Sequence, residues 1–166
     1  MGIGEAFQQF CNNLIVANGD TISYRDKRIT NQLNRDFYDY PHDTLHSIYT
    51  GSYGRDTAIT GFSDLDVLFW LPSGDFARFD GYSTNGQSAM LQEARTSIGK
   101  TYPNSEVSGD GQVVVVKFDD GMRFEVAPGF QLTDDRFRCP NSNGGGSWYI
   151  TDPHAEQKEI NAKNLT

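Results

Sequence analysis

Two stretches decide how this chain is read: Gly51-Ser52-Tyr53-Gly54-Arg55 and, after a short polar link, Asp64-Leu65-Asp66-Val67-Leu68. In an extended strand alternate side chains share a face, so Asp64 and Asp66 point one way while Leu65 and Val67 turn toward the core. Two carboxylates held that close repel and raise each other's pKa unless cations lie between them. Magnesium takes oxygen ligands and keeps phosphates as co-ligands. A carboxylate pair beside a glycine turn therefore points to a metal–triphosphate site.

Working outward, the 166 residues fit one domain with a sizeable core. The net charge of -8 argues against a broad electrostatic grip on nucleic acid. That excludes a templated polymerase and a sensor that wraps a duplex, but leaves small magnesium-bound nucleotides compatible. Cys11 and Cys139 lack metal-ligand spacing and read as reduced thiols. No basic segment followed by an apolar core opens the chain, and no run approaches membrane-spanning length. The expectation is a soluble, cytoplasmic protein.

Apolar residues at three- and four-residue spacing predict a helix over residues 3–17. A second helix runs from Asp20 or Thr21 to about Tyr38, with Ile22, Ile29, Leu33 and Phe37 on one stripe, and Pro41 lies beyond it. Strands are expected at Leu45–Thr50 and Asp64–Leu71, an exposed loop over residues 73–86, and a helix from Gly86 to Thr101. Val113 to Phe118 and Met122 to Val126, joined by Asp119-Asp120-Gly121, carry a strong hairpin signal. The four-valine run suggests a strand covered on both faces. Beyond Phe130 the pattern loosens, with a flexible loop at residues 141–146 and a short strand around Trp148. A weak helix pattern starts near Pro153 and is still running at Thr166, so further chain is expected after it.

Nucleotidyl transfer delivers a hydroxyl in line to an α-phosphate. Two divalent ions about 3.5–4 Å apart stabilise the attacking and leaving oxygens, and three carboxylates are the usual minimum to hold them. Asp64 and Asp66 supply two. Glu125 is the candidate third, flanked by Phe124 and Val126 on the second hairpin strand and so projecting from the opposite face. Pairing of that strand beside Asp64–Asp66 would bring the acids together. Gly51 lets backbone N–H groups approach phosphate oxygens, and Ser52 can add its hydroxyl. Arg55 either stays near the phosphates or pairs with an acid. A lone Asp-x-Asp is usually a solvated strand edge and a lone Gly-Ser is usually only a turn. Their order, with a hairpin carboxylate downstream, reverses that reading. His42, His46 and His154 show no ligand spacing and read as surface or capping residues, Trp148 and Tyr149 as packing; Gln87 and Ser88 open a helix and read as its caps ahead of a nucleotide contact.

At these residues the chain resembles the nucleotidyltransferase superfamily that includes DNA polymerase beta. It resembles more closely the bacterial cyclic-oligonucleotide synthases (CD-NTases), relatives of cyclic GMP-AMP synthase. The matching text includes Gly51 to Ile59, Ser63 to Leu68, Gly86-Gln87-Ser88-Ala89, Asp110-Gly111-Gln112-Val113, Phe124 to Pro128 and Thr151-Asp152-Pro153-His154. The resemblance implies an α+β core: a mixed, mostly antiparallel sheet flanked by helices. In it Asp64, Asp66 and Glu125 match the metal-binding acids, and Gly51 and Ser52 match the phosphate-binding turn. It further implies two magnesium ions, replaceable by manganese, and joining of nucleoside triphosphates such as ATP or GTP into cyclic di- or trinucleotides with release of pyrophosphate. Such messengers typically serve anti-phage defence.

The family also carries a second, helical lobe. On this reading residues 1–166 form one catalytic domain whose helical lobe is absent from the chain, and a regulatory protein or ligand acts as the trigger. Two rival readings stay open: a stand-alone transferase that attaches a nucleotide to a protein or small molecule, and a nucleotide-binding module without turnover.

Overall fold

The computed structural model describes residues 19–54 and 64–164. The expected helix over residues 3–17, Cys11 and Arg55 lie outside the described residues. Gly19–Tyr38 forms α1, the Gly51–Gly54 turn a short α2, Phe76–Asp80 α3, Gly86–Thr101 α4 and Pro153–Asn164 α5. The strands are β1 (Ser47–Tyr49), β2 (Asp64–Trp70), β3 (Glu106–Asp110), β4 (Val113–Lys117), β5 (Arg123–Gln131), β6 (Phe137–Asn141) and β7 (Ser147–Thr151).

The sheet order β1-β2-β5-β4-β3 carries β6 and β7 as an extension from β5. The β2–β5 pair is parallel and the other five pairings are antiparallel. This is the expected mixed α+β sheet. Period-2 alternation divides it into two faces. Leu65, Val67 and Phe69 of β2, Val114 and Val116 of β4, and Phe124 and Val126 of β5 bury against Ile29 and Leu33 of α1 and Met90, Leu91, Ala94 and Ile98 of α4. On the other face Leu68, Phe137 and Cys139 pack with Ile48, Trp70 and Tyr149. Val115 is buried on that second face, so the valine run is covered on both sides, as expected. Burial pushes the Cys139 thiol up to about 12, partly opposed by a hydrogen bond with Tyr149. That leaves it an inert packing group.

The helices follow their stripes. Asn85 caps α4 by accepting from the Ser88 N–H at 2.9 Å, so the cap is Asn85 and not the expected Gln87 or Ser88, which lie inside the first turn. Buried Asn34 closes the chain between α1 and β1. Its Nδ2 donates to the carbonyls of Thr30, His42 and Leu45 at 2.9–3.0 Å. His46 is not a simple surface histidine. It stacks on Tyr38 at 3.7 Å, and because an amide oxygen only accepts, its Nδ1 must donate to Asn34 Oδ1 at 2.6 Å. Burial, then the charge of His42, holds its pKa below the usual range. His42 plays the expected capping part, its Nδ1 accepting from the N–H groups of Thr44 and Leu45.

Three elements depart from the sequence reading. Residues 73–86 are not a plain exposed loop: a 3-10 turn at Ser73–Asp75 leads into α3, whose Phe79 is 1% exposed. Phe76 packs edge-on against Phe130 and beside Trp148, whose Nε1 donates to Asp80. A five-residue helix is too short for periodicity to register. Strand β3 is a polar edge with only Val107 facing the core cluster. Strand β6 contains Pro140 and buries Phe137 and Cys139 in an alternation too brief to read.

Phe79→Ala should destabilise the fold by about 3–5 kcal/mol in chemical denaturation, the cost of emptying a filled aromatic site; a loop residue would cost under about 0.5 kcal/mol. A second expectation concerns Asp26 on α1. Burial is the main cause that pushes its carboxyl up to about 6, with a hydrogen bond from Tyr49 and the charge of Lys27 pulling the other way. The folded state therefore holds this proton more tightly than the unfolded chain. The resulting stabilisation is full below about pH 4 and is lost as pH rises through about 6. Relative to the native chain, Asp26→Asn should gain stability over that window, by at most about 3 kcal/mol at pH 7, read from denaturation curves at stepped pH.

Candidate active site

The parallel register sets Asp64 opposite Arg123 and Asp66 opposite Glu125. Leu65, Val67, Phe124 and Val126 go down into the helix-covered core, so the four polar side chains rise together on the other face. The three acids expected from sequence are thus brought to one place, on adjacent strands rather than on one. Asp64 is exposed, whereas Asp66 and Glu125 are half-buried.

The glycine turn closes against the same point. Gly51 has φ +60°, and a Cβ built there would run into the Asp66 carboxylate, with Cγ 2.8 Å away. Only glycine suits both the backbone angle and the contact. The Thr50 N–H donates to the Asp66 carbonyl at 2.8 Å, which ties the turn's entrance to β2, and the Gly54 N–H donates to the Thr50 carbonyl at 2.9 Å. A Cβ on Gly54 would strike the Tyr49 carbonyl, so both glycines are dictated by close approach. Ser52 is half-buried within this turn.

Two site groups were missed in the sequence. Arg123 Nη2 lies 2.7 Å from Glu125 Oε1, while its Nε is buried without a hydrogen-bond partner. Asp110, at the end of β3, adds its charge to the neighbourhood. Burial pushes the Glu125 carboxyl above the usual range; Arg123 pulls it back, and Asp66, Asp64 and Asp110 push it up again. The i, i+2 spacing of Arg123 and Glu125 on a strand was the available signal for the first. Asp110 could be placed only by the pairing of β3 with β4.

Among the described residues no group of three or more His, Cys, Asp or Glu forms a ready-made metal cage. Asp64, Asp66 and Glu125 share one face of the paired strands, with Glu125 turned to Arg123. Such a set fits magnesium, a hard cation that binds through one or two carboxylates and keeps phosphate and water as further ligands. The crowding of negative charge on Glu125 is what a divalent cation would relieve. No helix among the described residues is long and apolar enough to cross a membrane.

Residues 1–164 match the family of Second Messenger Oligonucleotide or Dinucleotide Synthetase domains. No curated protein matches the chain. Among solved structures, the Escherichia coli MS115-1 CdnC:HORMA-deltaN complex superposes with a TM-score of 0.61 at 22% identity, over 97% of this chain and 50% of that one. Elizabethkingia meningoseptica CdnE cyclic dinucleotide synthase with GTP and Apcpp gives 0.62 at 15% identity, over 95% and 59%. Vibrio cholerae DncV cyclic AMP-GMP synthase, with a linear intermediate, gives 0.55 at 14% identity, over 72% and 33%. At these identities the likeness is one of fold, and the chain spans about a third to three-fifths of the length of these proteins. With residues 1–164 matched by that family, the chain belongs to the Second Messenger Oligonucleotide or Dinucleotide Synthetase domains.

Proposed function

We propose that this chain is the catalytic domain of a nucleotidyltransferase that joins nucleoside triphosphates into cyclic di- or trinucleotide messengers. The observation that carries the reading is the meeting of Asp66, Glu125 and the Gly51 turn at one point of the sheet. A phosphate-binding turn touching a metal-ligand carboxylate is what phosphoryl chemistry needs, since catalysis there is mostly positioning and charge stabilisation.

In this reading Asp64, Asp66 and Glu125 hold two magnesium ions, with manganese as a substitute. When bound, the ions lower the pKa of the acceptor hydroxyl and stabilise the leaving pyrophosphate. Gly51 and Ser52 orient the terminal phosphates through backbone N–H groups and the hydroxyl. Arg123 offsets part of the burial and like-charge repulsion acting on Glu125 by placing positive charge beside it. Arg55 remains a candidate phosphate contact. The half-buried setting of Asp66 and Glu125 strengthens each of these interactions over their value in water.

Residues 1–166 would form one catalytic domain, with a helical lobe as the far wall of the nucleotide cleft. ATP or GTP are the proposed substrates, in line with the GTP held by the Elizabethkingia meningoseptica CdnE structure. The HORMA complex of CdnC supports a regulatory protein partner. Anti-phage signalling in the cytoplasm is the proposed setting.

The test is calorimetric titration of a non-hydrolysable triphosphate with and without magnesium. The native chain should bind only with the metal, and Asp64→Ala/Asp66→Ala should lose binding while remaining folded. Metal-independent binding unaffected by those changes would sink the reading. Asp66→Asn should reduce product formation to background in a nuclease- and phosphatase-resistant product assay; a labelled protein instead of a cyclic product would favour the stand-alone transferase. Gly51→Ala should weaken triphosphate binding at least about tenfold, because the methyl displaces Asp66 and the left-handed backbone costs about 1–2 kcal/mol.

A further inference from the structure

Arg123 stands among the acids of the site without being locked there. Backbone pairing sets its place: on β5 it is the register partner of Asp64 on β2 and of Lys117 on β4, and Glu125 follows two residues on along its own strand. Alternation puts all four side chains on the face away from Leu65, Val116 and Phe124 of the core. The Lys117 ammonium is drawn off to Glu106 at 2.8 Å, which leaves the Arg123 guanidinium to face the acids. It meets Glu125 Oε1 through Nη2 at 2.7 Å, and both side chains keep part of their surface in water, 34% and 27%.

The contact is close, but it is not the two-pronged fork that fixes an arginine on a carboxylate. Arg78 makes that fork elsewhere in the fold, reaching both oxygens of Glu93 at 2.6 and 3.0 Å. Arg123 meets one oxygen through one nitrogen, and its Nε is buried with no hydrogen-bond partner. Its charge relieves Glu125, which burial and the charges of Asp66, Asp64 and Asp110 push above the usual range, while most of its five donors stay unused. The proposed chemistry makes two demands on these groups. A divalent cation takes carboxylate oxygens, and a triphosphate brings anionic oxygens that need donors. A guanidinium and a cation on the same carboxylate repel each other. A side-chain rotation of Arg123 from carboxylate to phosphate meets both demands together.

We propose that Arg123 is a phosphate-binding residue held in reserve by Glu125: its guanidinium is the internal counter-ion of the acids in the unloaded domain, yields Glu125 to a cation, and takes an anionic oxygen of the triphosphate. The inference rests on the preceding reading of the acids as a metal–triphosphate site.

The test measures two affinities of the whole chain: manganese alone, by electron paramagnetic resonance, and a non-hydrolysable ATP analogue in saturating magnesium, by calorimetry. In Arg123→Gln they should move in opposite directions. Manganese should bind about fivefold tighter, because a competing positive charge has left the acids. The analogue should bind about tenfold weaker, because a charge-assisted hydrogen bond is lost. Arg123→Lys keeps the charge without the planar donors, so its manganese affinity should stay within about twofold of native and its analogue affinity should fall between the other two. The side chain is partly exposed, so both variants should fold, which chemical denaturation checks. Loss of both affinities together would mean that Arg123 acts only by holding Glu125 in place, and unchanged affinities that the ion pair is incidental. Either result, with native binding intact, overturns this proposal and leaves the acid site standing. A native chain that fails to bind either probe would instead fell the reading of the site, and this inference with it.

Discussion

The parallel hydrogen-bonded register of β2 against β5 is the constraint on which the rest of the structure depends. Shifted by one residue, it would turn Asp66 or Glu125 into the core and bring Val67 or Phe124 out among the acids. The core on one face and the charge cluster on the other are therefore one decision. A parallel pair requires a long crossover, and the segment from α3 through β4 provides it, carrying α4 across the helix-covered face. The packing that stabilises the sheet thus positions the acids as well.

That arrangement also explains how a stable domain tolerates four carboxylates whose charges reach one another. Asp64, Asp66 and Asp110 make the potential at Glu125 more negative, which adds to burial in holding its carboxyl above the usual range. Arg123 offsets part of it from within the same strand. The remainder is carried by the burial of Phe124, Val126, Val114 and Val116 beneath, which makes the strands rigid regardless of the charge above them. Rigid support beneath crowded negative charge is what the proposed cation site would need.

Most of this was legible in the sequence, for identifiable reasons. Asp64-Leu65-Asp66-Val67 and Phe124-Glu125-Val126 alternate strictly, so their faces could be assigned before their partners. The α4 stripe of Met90, Leu91, Ala94 and Ile98 is long enough to set its period, and Asp120-Gly121 announces a hairpin. What escaped was set by tertiary pairing. Strand β3 owes its existence to main-chain bonds with β4 and not to apolar side chains. Strand β6 hides two buried residues around Arg138, which lies over the Phe76 ring at 4.5 Å. Helix α3 is anchored by Phe76 and Phe79 in an otherwise polar run, too short for a period to show. Asp26 and Arg123 look like ordinary surface charges on their elements, and only the positions of Tyr49 and Glu125 give them meaning.

The polar character of β3 has a further consequence for the molecule in a crowded solution. Together with the three-residue β1, it bounds the main sheet path, and each end of a sheet offers unpaired N–H and C=O groups to any passing strand. β1 is too short to template much pairing. β3 is longer, but it carries Glu106 and Asp110 at its two ends, and Lys117 of the adjacent strand reaches Glu106 at 2.8 Å. A second copy approaching edge-on would have to strip water from those charges and meet its own acids in register. The weak apolar content that makes β3 hard to recognise in the sequence is thus also a barrier to self-association through the sheet.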